Sequence, residues 1–316
     1  VGWLIVISAI ISTATVVNGY VGYVQVFVDL SDWIIITGII IILTAVAVWG
    51  ITESAFTITT ITIIELIGLL LVIVIAADNL SSFPERWPEL IPSFTIGDWQ
   101  KVLLGAFLAF FTFIGFQDMV NVAEEAKNPE RDMPKAIIIS LIILTVLYII
   151  VAVIAGLGLT PEELDQSDAP LADILAEKGK WYPKIISGIG TIAIINGVLV
   201  QFVMIARVLY GMAQKSMAPK LFGKLNKNTR TPVWGTVITS GVILILALSF
   251  DLEALAEATN YILLIVFMMV NLALWRIKTR DPDPEDIKTY GIWIPIVGFI
   301  LSFGILLFQI YSTIWS

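Results

Sequence analysis

The residues able to do chemistry in this chain are few and sit where charge and polarity are least at home. Glu65, in TITIIELIGLLLVI, has no other charged residue within ten positions on either side. An ionised carboxylate at the centre of an apolar span costs on the order of 3 kcal/mol. Its carboxyl is therefore expected to face the interior of a helix bundle and to be at least partly protonated, which makes it a proton-carrier candidate. The competing reading is a permanently neutral acid hydrogen-bonded to a neighbouring helix. Asn196, Gln201 and Asn271 are polar but uncharged residues in similar runs, and each can serve as an interhelical hydrogen bond or as a ligand contact. The last feature is FFTFIGF, Phe110 to Phe116, followed by Asp118. A glycine weakens a helix by about 1 kcal/mol relative to alanine. With Phe111, Thr112, Phe113, Ile114 and Phe116 around Gly115, the segment suits a helix broken at membrane depth. Broken helices expose backbone carbonyls and amides, which bind ions and the charged ends of small zwitterions.

The elements that must position these residues follow from hydropathy. With 58% hydrophobic residues, 14% charged residues and a mean hydropathy of +0.93, the chain is expected to be an all-α polytopic membrane protein forming one transmembrane domain over residues 1–316. Crossing ~30 Å of hydrocarbon takes about 20 apolar residues as a helix, whereas a barrel would show alternating segments of about ten. Nine spans are read: Val1–Phe27, Trp33–Trp49, Phe56–Ala77, Val102–Val122, Ala136–Leu157, Ile185–Leu209, Val233–Leu248, Leu255–Trp275 and Ile292–Ile314. All ten tryptophans except Trp87 lie close to span ends, as amphipathic rings do at the headgroup level. Thirteen of the eighteen Lys and Arg residues fall on one side and five on the other, which places the chain's amino terminus in the cytoplasm and its carboxyl terminus outside.

Composition also excludes. A net charge of -8 leaves no basic surface suited to nucleic acid. Cys and His are absent, which removes thiol chemistry, disulfides, haem ligation and almost every zinc or iron site. No nucleophile arrangement suggests an enzyme, and any proton work falls to carboxylates or lysines. The basic loop Gln214–Arg230 either holds anionic lipid headgroups or acts only as a topology signal.

The string FFTFIGFQDMVNVAEEAKNPERDMPKAIIISL, Phe110 to Leu141, resembles the signature of the amino acid permeases of the amino acid-polyamine-organocation superfamily: an aromatic-rich break, then an AEExKNPxRxxPxAI segment. INGVLVQFVMIARVLYGMAQKSMAPKLFGKLN at Ile195–Asn226, TRTPVWG at Thr229–Gly235 and LIVFMMVNLALWRIKTR at Leu264–Arg280 resemble that family's eighth helix, the approach to its ninth, and its tenth helix. The opening VGWLIVISAIISTATVVNGYVGY is similar to its third. The resemblance implies two inverted five-helix repeats, with an amino acid held between broken helices and moved by alternating access. Backbone carbonyls around Phe111, Thr112 and Ile114 would receive the substrate's amino group, and Phe116 would stand near a gate. Counted against a twelve-span plan, the nine spans are the third to the eleventh, so a truncated permease is expected, without the first two helices and the last.

Some proton-coupled relatives carry a lysine on the corresponding fifth helix, where this chain has Glu65. The coupling ion is therefore expected to be a proton, with sodium held by hydroxyls such as Ser187 or Thr191 as the second reading. No other cofactor is expected, the partners being an amino acid substrate and membrane lipids, and the location a plasma (inner) membrane. The alternative classes are a channel and a non-transporting structural membrane subunit. The sequence shows no filter-like loop and no ring of like charge, and polar atoms in several spans speak against a merely structural part.

Overall fold

The computed structural model describes residues 1–50, 55–116, 128–281 and 290–315. Among them the chain is helical with no strands. Nine long helices follow one another: α1 Gly2–Gln25, α2 Asp32–Trp49, α3 Ala55–Ile75, α4 Ile96–Ala109, α5 Pro129–Gly158, α6 Tyr182–Gln214, α7 Val233–Ser249, α8 Leu252–Arg280 and α9 Trp293–Trp315. Eight are long and apolar enough to cross a membrane, α4 being counted with the turn that extends it to Phe113, and α7 is shorter at 17 residues. Each of the nine expected spans thus overlaps one of nine helices among the described residues, the shortest being α4 with 14 residues and α7 with 17, and residues 117–122 of the fourth span lie outside the described residues.

Boundaries moved where hydropathy and helicity part company. Residues 129–135 were expected in a loop before the fifth span. The structure makes them the opening turns of α5, with Asn128 as N-cap, Pro129 in the first turn, and Glu130 and Asp132 beside the helix start. Proline is pre-set for that position, and carboxylates there face the positive end of the helix dipole. Similarly, α6 and α8 run on to Gln214 and Arg280, past the predicted ends at Leu209 and Trp275. A helix outlasts the membrane that defines its apolar part.

Packing divides the bundle. The larger core joins α1, α2, α6 and α7 around Val17, Ile40, Leu43, Phe202, Ile205 and Ile243. A smaller core gathers Val72 of α3 and Ala76 just past its end, Ile154 of α5, Ile186 of α6, and Ile174 and Leu175 of the connection before α6. At one end of the bundle Gly22 of α1 passes so close to that connection that an added Cβ would stand 2.0 Å from the Asp168 carbonyl oxygen. The same end is pinned by charge. Lys178 reaches Asp78 at 2.6 Å and the Asn79 side-chain oxygen at 3.0 Å. Arg86 donates to the Leu157 carbonyl at 2.7 Å, a cation at the negative end of α5. Helix α4 is the outlier. It packs chiefly on α8, and of its residues only Phe107 is buried.

Candidate functional site

The interruption expected in FFTFIG is present. Thr95 caps the start of α4, accepting from the Asp98 N–H at 3.3 Å. Regular helix runs to Ala109, tightens into a 3-10 turn over Phe110–Phe113, and ends at Ile114, which is extended with φ -66° and ψ 139°. Gly115 then adopts φ +125°, a region that side-chain-bearing residues rarely enter. An added Cβ there would meet nothing within 4 Å, so the glycine is required by backbone conformation rather than by crowding. The second half-helix expected after the break, with Asp118 and the charged segment Glu124–Lys127, lies outside the described residues.

Local bonds hold the opened turn. The Ile114 N–H donates to the Phe111 carbonyl at 3.1 Å, and the Thr112 hydroxyl to the Ala109 carbonyl at 2.7 Å. Tyr148 of α5 donates its hydroxyl to the Thr112 carbonyl at 3.3 Å. Two of the three carbonyls expected to meet a substrate thus have protein partners, each keeping a second lone pair. Thr112 is exposed, and Phe111, Phe113, Ile114, Gly115 and Phe116 are half-buried. The aromatic crowd has defined neighbours. Phe110 and Phe116 both lie against Phe267 of α8, with ring centroids 6.1 and 5.7 Å apart, and Phe113 meets Tyr148 edge-on at 5.4 Å.

One contact was not anticipated from sequence. Asn260 of α8, fully buried, donates its amide to the Phe107 carbonyl at 2.6 Å, just before the break, and the neighbouring Tyr261 ring packs on Phe107 at 5.1 Å. The available signal was an asparagine early in an apolar helix, at Ala-Thr-Asn-Tyr. Glu257 was likewise passed over. One helical turn from Asn260 on α8, it accepts a hydrogen bond from buried Gln309 of α9 at 3.2 Å.

The other polar candidates separate from the break and from one another. Glu65, half-buried on α3, faces the side chain of Asn196 on α6. The buried Asn196 Oδ1 has no hydrogen-bond partner. The Gln201 side-chain oxygen lies 2.5 Å from the Thr13 hydroxyl of α1, joining α1 to α6. Asn271 donates to the Phe267 carbonyl of its own helix at 2.9 Å, beside Gly298 of α9. Ser187 and Thr191, one turn apart on α6, stand out in another way: both hydroxyls are buried without a hydrogen-bond partner. Thr13, Thr15, Thr239, Ser240 and Thr259 all bond the carbonyl four residues back, the usual refuge of a helical hydroxyl. Among the described residues no group of three or more His, Cys, Asp or Glu side chains could hold a metal ion. What remains is an opened backbone turn walled by aromatics and, on other helices, two acids each set beside an amide, Glu65 by Asn196 and Glu257 by Gln309. Such an arrangement can bind and release small charged solutes.

The family model described as amino acid permease matches residues 1–314. The chain is 29% identical over 254 residues to a vacuolar cationic amino acid transporter of Arabidopsis thaliana, an alignment covering 79% of this chain and 40% of the relative. It is 26% identical over 363 residues to a branched-chain amino acid permease of Bacillus subtilis, covering 99% of this chain and 75% of that protein. A methylthioribose transporter of the same bacterium is 27% identical over 333 residues, covering 99% and 70%. The chain thus spans about two fifths of the plant transporter's length and about three quarters of the branched-chain permease's.

Proposed function

Since the chain belongs to the amino acid permease family, a family of multi-pass membrane transporters and not of enzymes, we propose that it carries amino acids across a membrane by secondary active transport. The observation that supports this most is the interruption of α4 at Phe110–Gly115. The opened turn offers backbone carbonyls to an ammonium group, and Phe111, Phe113 and Phe116 supply an apolar wall for the rest of the solute. Relatives are named for cationic amino acids, branched-chain amino acids and methylthioribose, so the proposal covers the amino acid class and no particular side chain. Alternating access comes from α4 shifting against α8 and α5, the helices its broken end touches.

Coupling is assigned to protons through Glu65. A carboxyl that faces one amide of a neighbouring span gains or loses a proton there without a fixed counter-charge. The orphaned hydroxyls of Ser187 and Thr191 favour a second reading, a sodium ion on α6, since hard cations take oxygen ligands. The protein is placed in the plasma membrane, with its first helix entering from the cytoplasm.

The test is uptake of radiolabelled amino acids by the gene product in proteoliposomes, under an imposed pH gradient and separately under a sodium gradient. Accumulation driven by the pH gradient and weakened by Glu65→Gln supports the proton reading. Accumulation that follows sodium and is lost in Ser187→Ala/Thr191→Val supports the second. Large uncoupled currents carried by the same preparation would instead assign a channel.

A further inference from the structure

At the end of the bundle where basic residues gather, the last turns of α6, the end of α2, the start of α7 and the connection between α6 and α7 enclose an open cavity of about 460 Å³. Arg207 and Tyr210 of α6, with Arg230, Thr229 and Thr231 of the connection, are among the residues that line it. Both arginines are exposed, and neither forms an ion pair among the described residues. No described lining residue is a carboxylate, while Glu53, three positions past Gly50, lies outside the described residues.

The connection is built to hold Arg230 in place. The Asn226 N–H donates to the Thr231 carbonyl and the Arg230 N–H to the Asn226 carbonyl, both at 2.9 Å, closing a tight loop. The Thr231 hydroxyl donates to the Val48 carbonyl at 2.9 Å, tying the loop to the end of α2. That leaves Thr229 as the donor in the 2.7 Å bond between the two threonine hydroxyls. The threonine protons are therefore committed, and the free donors around the cavity are two guanidinium groups and the Tyr210 hydroxyl. Arg230 itself sits at φ +56°, a conformation unfavourable for a residue with a side chain and typical of positions where strain is kept for a purpose.

Depth identifies the ligand. Trp49, 75% exposed, adjoins the cavity-lining Gly50, and Trp234, 53% exposed, lies between the cavity-lining Pro232 and Thr236. Exposed tryptophans at helix ends mark the headgroup level of a bilayer. We infer that this cavity is a binding site for a phosphate group, held by the forks of Arg207 and Arg230, with the headgroup of an anionic phospholipid as its source. A guanidinium fork matches phosphate oxygens two at a time, which the compact ammonium of the nearby lysines cannot do.

The experiment is a native mass-spectrometric titration of the detergent-solubilised chain with dioleoylphosphatidylglycerol, set against dioleoylphosphatidylcholine, and a thermal-melting series with inorganic phosphate. Each arginine replaced in Arg207→Gln and Arg230→Gln should weaken phosphatidylglycerol binding about fivefold, as expected for one cationic contact at a membrane surface. Lys220→Gln/Lys224→Gln, in the same connection but outside the cavity lining, should leave binding unchanged. Arg230→Gly removes the charge and relieves the backbone together, so it should lose lipid while melting no lower than the parent, which separates loss of the site from loss of the fold. Stabilisation by inorganic phosphate that the same arginine variants abolish would assign the site to the free ion. Equal binding by the double arginine variant and the parent, or an equal loss in the lysine variant, would overturn the inference.

Discussion

Asn260 and Phe107 join α8 to α4 through a single 2.6 Å hydrogen bond between two residues that water does not reach. The bond falls on the last well-formed turn of α4, so it fixes where the regular helix ends and the opened segment begins. Asn260→Leu should lower thermal stability by about 1 kcal/mol, the scale of polar contacts between membrane helices, and reduce uptake further than that loss of stability explains. Asn260→Asp should do worse, because a carboxylate cannot donate to the Phe107 carbonyl. Melting curves and uptake on the same preparations provide the check.

Gly115→Ala should be harmful without any clash. Its φ of +125° is closed to alanine while the space around it is open, so the expected penalty is strain of about 1–3 kcal/mol. Uptake should fall through a higher KM if the opened turn binds solute. An unchanged KM would place the binding site elsewhere.

Glu65→Gln keeps the size of the side chain and a polar group facing Asn196, but it cannot release a proton. It should flatten the pH dependence of uptake while leaving the melting temperature near that of the parent. An unaltered pH profile would leave Glu65 as packing between α3 and α6.

The Asp78–Lys178 pair gives a pH dependence outside the spans. The Lys178 ammonium, by hydrogen bond and by charge, holds the Asp78 carboxyl below its ordinary value. A depressed carboxylate contributes stability above its unfolded pKa and loses it as pH falls through the folded value. Limited proteolysis of the connections around Asp78 and Lys178 should therefore quicken on acidification from neutral pH to roughly pH 3. Lys178→Gln should show the faster cleavage already at neutral pH.

Gly22→Ala would drive a methyl group onto the Asp168 carbonyl. That backbone cannot step aside as a side-chain tip would, and a loss of about 1–3 kcal/mol is expected from overpacking, read as a lower melting temperature.

Much of this architecture was legible beforehand because hydropathy is a physical property of the bilayer and not of the fold. The spans were readable for that reason, as was the break: a glycine amid aromatics in FFTFIG has no better use in a straight helix. Pairings were not readable. Nothing in the sequence says that Glu65 meets Asn196, that Gln201 meets Thr13, or that Asn271 turns back on its own helix, because partner choice depends on how helices cross. Asn260 and Glu257 were missed for a related reason. Near the start of an apolar run a polar residue reads as interface, and only the tertiary contact gives Asn260 its place beside the break. The charged turns at Pro129–Lys135 read as loop because a membrane-based criterion stops at the headgroups while the helix does not.

The early end of α4 has a bearing on the lipid as well. Its 14 residues of regular helix rise about 21 Å, well short of the ~30 Å of a typical hydrocarbon layer. The α-helical ladder thus gives way to the tighter Phe110–Phe113 turn within the acyl-chain region, at a depth that shifts with bilayer thickness. Short-chain lipids bring the opened turn nearer the far headgroups, and long-chain lipids bury it deeper, so acyl-chain length becomes a control on how readily the turn meets water.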